Sequence, residues 1–95
     1  LIVMGEKAKA VGAKIATVTM FPNHTIGQMA DVSVTVPGST PKKAEGEKNL
    51  AGSIQPMGNL FEQMSWLVYD SVIMVLMDDL HQTSEEMMER HTNLE

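Results

Sequence analysis

One carboxylate is singled out by where it falls. Glu62, in "QPMGNLFEQ" (residues 55–63), stands at the start of a long apolar run. A glutamate there has two readings. It can be a first-turn residue that suits the positive end of a helix. It can equally be a general base, held against Trp66 and Tyr69 four and seven residues on, that takes up and returns a proton. Burial would raise its pKa and the helix dipole would lower it, so the net direction stays open. His91, near the end of the chain, suits proton transfer at neutral pH. A cationic histidine near a helix C-terminus is just as ordinary. Gln55, Asn59 and Gln63 carry amides that can hydrogen-bond a hydroxylated ligand or cap backbone groups. His24 falls in a turn and His81 at a helix end, and both are expected to be solvated.

Composition removes several classes of function. The chain has 95 residues, room for one small domain, and its 43% apolar content is that of a globular protein. A net charge of −5 argues against nucleic-acid binding, which needs a basic footprint, and Lys42–Lys43 is the one adjacent basic pair. There is no cysteine, hence no disulfide and no thiolate metal site, which fits a reducing cytoplasm. His24, His81 and His91 show no metal-ligand spacing, so no metal is expected. The longest fully apolar stretch, residues 72–77, is too short to span a bilayer, and "LIVMGEKAKA" is no signal peptide.

The elements that must position these residues read as α/β. Residues 1–11 form a helix with Leu1, Met4, Ala8 and Val11 on one face, and Gly12 fits a left-handed C-cap. No capping residue precedes this helix, so the chain is expected to enter it part-way, as the C-terminal portion of a larger domain. "KIATVTM" is a short strand closed by a Pro22–Asn23 turn, and Thr25 can cap a helical turn through Met29. Val32, Val34 and Val36 alternate with Ser33 and Thr35 in a second strand. Helix, strand, helix, strand in this order predicts a parallel sheet. Residues 37–54 are a loop, functional or disordered, whose centre "KKAEGEK" is expected to be solvated.

The long helix, within residues 55–80, is apolar on two sides. Met57, Leu60, Phe61, Met64, Leu67, Val68, Val72 and Val75 form one face, while Trp66, Tyr69, Ile73 and Met77 lie nearly opposite. Such a helix must be covered twice, by a sheet and by something else, most simply another subunit. Thr83 followed by Glu86 is a capping box and opens a last helix and tail over residues 83–95.

Three stretches resemble a known family. "AKAVGAKIATVTMFPNHTIGQMADVSVTVPG" is similar to the second half of a sugar isomerase (SIS) domain, and "IQPMGNLFEQ" with the closing "RHTNLE" resembles more narrowly the 6-phospho-3-hexuloisomerases. The likeness covers the whole chain. It implies a three-layer αβα sandwich around a parallel sheet, flavodoxin-like and here incomplete, in a tetrameric, cytoplasmic enzyme without metal or organic cofactor. The implied reaction interconverts 3-hexulose 6-phosphate and fructose 6-phosphate through an enediol. Glu62 then matches the family's base and His91 a group for ring opening or oxygen protonation. Gln55 and Asn59 become substrate-positioning candidates.

The departures weigh on that reading. The family's Ser/Thr-rich phosphate loops would lie upstream of Leu1, and His24 and Asn59 occupy places where serine is more usual. The fragment alone is therefore expected to carry the base without the phosphate grip. Two alternatives are an SIS isomerase acting on arabinose 5-phosphate and a non-catalytic SIS sensor or assembly module.

Overall fold

A computed structural model describes residues 1–91. The final tail, including most of "RHTNLE", lies outside the described residues. The elements run α1 (Ile2–Ala10), β1 (Ala16–Thr19), α2 (Thr25–Met29), β2 (Val32–Thr35), α3 (Asn59–Asp79) and α4 (Ser84–Glu89). Two compact units are present: residues 1–65, and a second that begins at Trp66. α3 contributes its first turns to the first unit and the remainder to the second.

α1 starts without a side-chain cap at Leu1. It ends as its glycine requires. Gly12 has φ +79°, the Gly12 N–H donates to the Lys9 carbonyl at 2.9 Å, and the Ala13 N–H donates to Ala8 at 3.0 Å. These two bonds complete a Schellman closure of the last turn. Of its apolar face, Leu1, Met4 and Val11 are exposed and Ala8 is half-covered, as is Gly5 beside it. Gly5 is where α1 closes on its neighbour, because a Cβ there would sit 2.5 Å from the Met29 sulfur. α2 begins one residue earlier than expected. His24 is its N-cap, without a side-chain bond, and Thr25 is already helical.

β1 and β2 pair in parallel, Ala16 opposite Val32 through Thr19 opposite Thr35. Asp31 holds their entrance together. Its backbone N–H donates to the Ile15 carbonyl at 2.8 Å, its carboxylate accepts the Ile15 N–H at 2.9 Å, and Lys14 Nζ lies 3.2 Å away. The Ile15 N–H, and then the Lys14 ammonium, hold this carboxyl below the usual aspartate range. At the far end the Val36 N–H donates to the Thr19 carbonyl at 3.0 Å. The alternation expected of β2 fails, since all four of its residues are exposed; Val36, just beyond, is buried. A two-stranded sheet with exposed valines is marginal by itself. The architecture is α/β with a parallel sheet, an incomplete αβα sandwich.

α3 is opened by Met57, one of two non-glycine residues with positive φ (51°) among the described residues. It closes on the other, His81 (φ 51°), where the His81 N–H donates to Asp78 and the Gln82 N–H to Met77. His81 thus takes the left-handed place that Gly12 takes after α1, which explains an exposed histidine at that corner. α4 carries the expected capping box: the Thr83 N–H donates to the Glu86 carboxylate at 2.8 Å and the Glu86 N–H to the Thr83 hydroxyl at 3.2 Å. By length and composition α3 is also long and apolar enough to cross a membrane, with a mean hydropathy of 1.3.

Candidate functional site

The first unit brings the motif around Glu62 to one place. Pro56, Met57 and Gly58 lead directly into α3, with the Asn59 N–H donating to the Pro56 carbonyl at 3.2 Å and the Glu62 N–H to Gly58 at 3.0 Å. A left-handed, non-glycine Met57 is strained backbone, of the kind that accumulates where a site must be held in one geometry. The Gln55 side chain donates to Gln63 Oε1 at 3.0 Å, while its own Oε1 is buried without a partner. A buried acceptor left unpaired is costly, so a donor is wanted there. Asn59 is half-buried as the first residue of α3.

Glu62 itself is exposed, and so are Trp66 (70%) and Tyr69 (52%). The expectation of a carboxylate buried against an apolar wall is therefore not met among the described residues. The reason is the absence of cover over these residues; their spacing along α3 is as expected. The best-covered residue of α3 is Ser65, whose hydroxyl bonds back to the Phe61 carbonyl at 2.7 Å. Serine at a helical back-bonding position gives no signal in an apolar pattern.

The loop after β2 is ordered by its own polar groups. At its neck the Ala51 N–H donates to the Gly38 carbonyl at 3.3 Å, the Thr40 N–H to Asn49 Oδ1 at 3.0 Å, and Asn49 Nδ2 to the Ser39 hydroxyl at 3.1 Å. Its two ends close on each other, which makes residues 38–51 an Ω-loop. Gly38 is buried there, and a Cβ on it would lie 2.7 Å from both the Met20 sulfur and the Phe61 Cβ. The neck is thereby seated beside the end of β1 and the first turn of α3. The tip is pinned as well. Glu47 accepts the Ala44 N–H at 2.9 Å through one oxygen and holds His24 Nε2 at 2.6 Å through the other. The Ala44 N–H, and then His24, hold the Glu47 carboxyl below its usual range. His24 stacks on Phe21, their centroids 5.0 Å apart. His24 and Glu47 are paired rather than simply solvated, whereas the rest of the charged centre, with Lys42, Lys43, Glu45 and Lys48, is exposed as expected. The partners are 23 residues apart, beyond any local pattern.

His91 belongs to the second unit, just past α4, where its N–H donates to the Met88 carbonyl at 3.0 Å. In that unit Ile73, Leu76, Met77 and Leu80 face Met87 across an apolar groove of about 440 Å³, with Arg90 bonded to Gln82 at its rim. Among the described residues no group of three His, Asp or Glu is placed to hold a metal.

No family model matches the chain. It is 41% identical over 95 residues to a 3-hexulose-6-phosphate isomerase of Bacillus subtilis (strain 168), covering all of this chain and 50% of that protein. Proteins of the same name from Mycobacterium gastri (36% over 90 residues, 95% of this chain and 43% of the relative) and Methylomonas aminofaciens (30% over 95 residues, 100% and 50%) are also similar. Among solved structures, the crystal structure of a hypothetical protein matches with a TM-score of 0.74 at 26% identity, over 98% of this chain and 48% of that one. The chain spans about half the length of the curated relatives it matches. The resemblance carried by the two short motifs is borne out: over its whole length the chain is similar to about half of a 3-hexulose-6-phosphate isomerase.

Proposed function

We propose that this chain is the base-bearing part of a cytoplasmic sugar-phosphate isomerase that interconverts 3-hexulose 6-phosphate and fructose 6-phosphate. What carries the reading is the whole-length similarity to relatives of that name, in a chain whose strained QPMG turn sets Glu62 at the accessible first turn of α3.

The chemistry follows from where the carbonyl must go. Glu62 removes the proton from C2 of the 3-ketose, the electron pair closes an enediol across C2 and C3, and the same carboxyl returns the proton to C3. Meanwhile one proton passes from O2 to O3, a transfer that His91 serves if it is brought to the same substrate. No electron leaves the sugar, so no redox cofactor is required. Gln55, with its unpaired buried acceptor beside Gln63, is suited to take a donor from the substrate, and Asn59 to add a second polar contact.

The phosphate is not provided for by these residues. In this reading it is bound by loops outside the chain, and the fragment alone is inactive. Cover for the sheet and for α3 comes from the rest of the protein and from further copies in a tetramer. Asp70 stands at the middle of α3, where a charge in a bilayer would cost roughly 2.5–3.5 kcal/mol, which favours protein over lipid as the cover.

The test is turnover in the full-length protein. Glu62→Gln keeps the shape but removes the base, and the rate from 3-hexulose 6-phosphate should fall by roughly 10³-fold, within the range for general base catalysis. Fructose 6-phosphate binding should be retained. Undiminished turnover in this variant removes Glu62 from the role.

A second reading, a non-catalytic assembly module, is favoured by one observation. Val36 is the one buried large apolar residue among those described, while Leu67, Val72, Ile73, Met74 and Val75 are all exposed. A full-length protein that forms a discrete oligomer but has no isomerase activity would select it.

A further inference from the structure

The open ends of β1 and β2 face a cleft that nothing above has used. It has a volume of about 280 Å³ and lies entirely within the first unit. Met20, Phe21 and Leu50 give it apolar walls, and Asn23, Thr35 and Glu47 are its polar groups. Its position is the one physics prefers for a ligand in an open α/β sheet, beyond the carboxyl ends of parallel strands. A mostly apolar lining with a few converging polar groups is also the usual make-up of a small-molecule site.

Three features narrow what it can hold. First, the Asn23 amide and the Thr35 hydroxyl make no hydrogen bond with the described residues, so both are available. Second, Glu47 is fixed. The Ala44 N–H and His24 each take one of its oxygens, and His24 is itself steadied by its stack on Phe21. Each carboxylate oxygen still has a lone pair to offer. Third, the Ala44 N–H, and then His24, favour the charged form of Glu47. A phosphate entering here would meet that negative charge in a partly enclosed space. Hydroxyl groups would meet a strong acceptor.

The geometry points to this cleft as the subsite for the hydroxyl-bearing end of the sugar remote from its phosphate, the C1 hydroxymethyl group, with Glu47 as its acceptor and the 38–51 loop as the roof. This rests on the isomerase reading. It adds to it a binding residue, Glu47, and an orientation, in which C1 lies under the loop and the phosphate points away from it. The stitched neck at Asn49 and the pinned tip at His24 serve to hold the acceptor in place before the sugar arrives.

The experiment compares two substrates in the full-length protein, fructose 6-phosphate and 1-deoxyfructose 6-phosphate, which lacks the C1 hydroxyl. Glu47→Gln should raise KM for fructose 6-phosphate by about 10-fold, as expected for a hydrogen bond to a charged group, with kcat little changed. On the deoxy substrate the same substitution should raise KM by less than about 2-fold. An equal rise on both substrates, as a general loosening of the loop would cause, overturns the assignment, and so does no rise on either. Asn23→Ala, at another polar residue lining the cleft and outside the loop, repeats the comparison should Glu47→Gln fail to fold. A wild-type protein without isomerase activity would remove the isomerase reading and this inference with it. An active protein indifferent to both substitutions would remove the inference alone.

Discussion

Residues 14–51 and helix α3 solve opposite halves of the folding problem. In the first, three polar side chains pin the backbone: Asp31 ties the entrance of the two strands, Asn49 ties the neck of the loop, and Glu47 ties its tip to His24. Little apolar surface is buried there, yet the backbone is well specified. In α3 the backbone satisfies itself through its own helical bonds, while the side chains are left without cover: Trp66, Leu67, Met74 and Val75 are each at least 60% exposed. The difference teaches where the missing free energy must come from. Hydrogen bonds can specify a shape locally, but their net contribution is small, and burial supplies most of the stability of a domain. The polar region is closed within this chain. The apolar side chains of α3 are left exposed.

That contrast can be broken at several points. The largest effect is expected at Trp66. If α3 is covered in the full-length protein, Trp66→Ala should cost about 3 kcal/mol in urea unfolding, the lower end for a buried tryptophan. An effect under about 0.5 kcal/mol, proper to a surface residue, would mean that α3 is as bare there as it is here. Asn49→Ala should be milder, about 1–2 kcal/mol for two lost hydrogen bonds, and hydrogen exchange should rise within residues 38–51 and leave α3 unchanged. Exchange that spreads into α3 would show that the two regions are not independent.

The smallest effect is the pH dependence at Asp31. Its folded pKa lies below 3.8, so its contribution is fully present above that value and is lost as the pH falls through the folded pKa. Asp31→Asn should therefore flatten the acid side of the stability curve below about pH 4 and leave its shape at neutral pH unchanged. An identical acid limb in both proteins would mean that the strand entrance is held by backbone bonds alone.

Much of this was legible from residues taken in order. Gly12 ended α1, Thr83 and Glu86 boxed the start of α4, and β-branched runs marked both strands, because each signal is local and needs only neighbours within a turn. α3, Asn59–Asp79, falls inside the expected 55–80 and starts four residues into it. What escaped was tertiary. The pairing of His24 with Glu47, the burial of Ser65 and the exposure of β2 all depend on which surfaces meet, and that is not written in spacing. The candidate site divides in the same way. The motif placed Glu62 on the first turn of α3, but the left-handed backbone of Met57 and the unpartnered Gln55 acceptor arise from tertiary packing, which spacing does not encode.

The pin at Asp31 has a consequence in time as well as in space. Its contacts reach back only 16 or 17 residues, and the two strands it joins pair across a similar distance. Closing a loop of that size is fast and costs little chain entropy. As the polypeptide leaves the ribosome, the β1–α2–β2 segment can therefore form before α3 has been made. The strands can pair early but only marginally, and while the apolar side chains of α3 stay exposed the chain is open to aggregation.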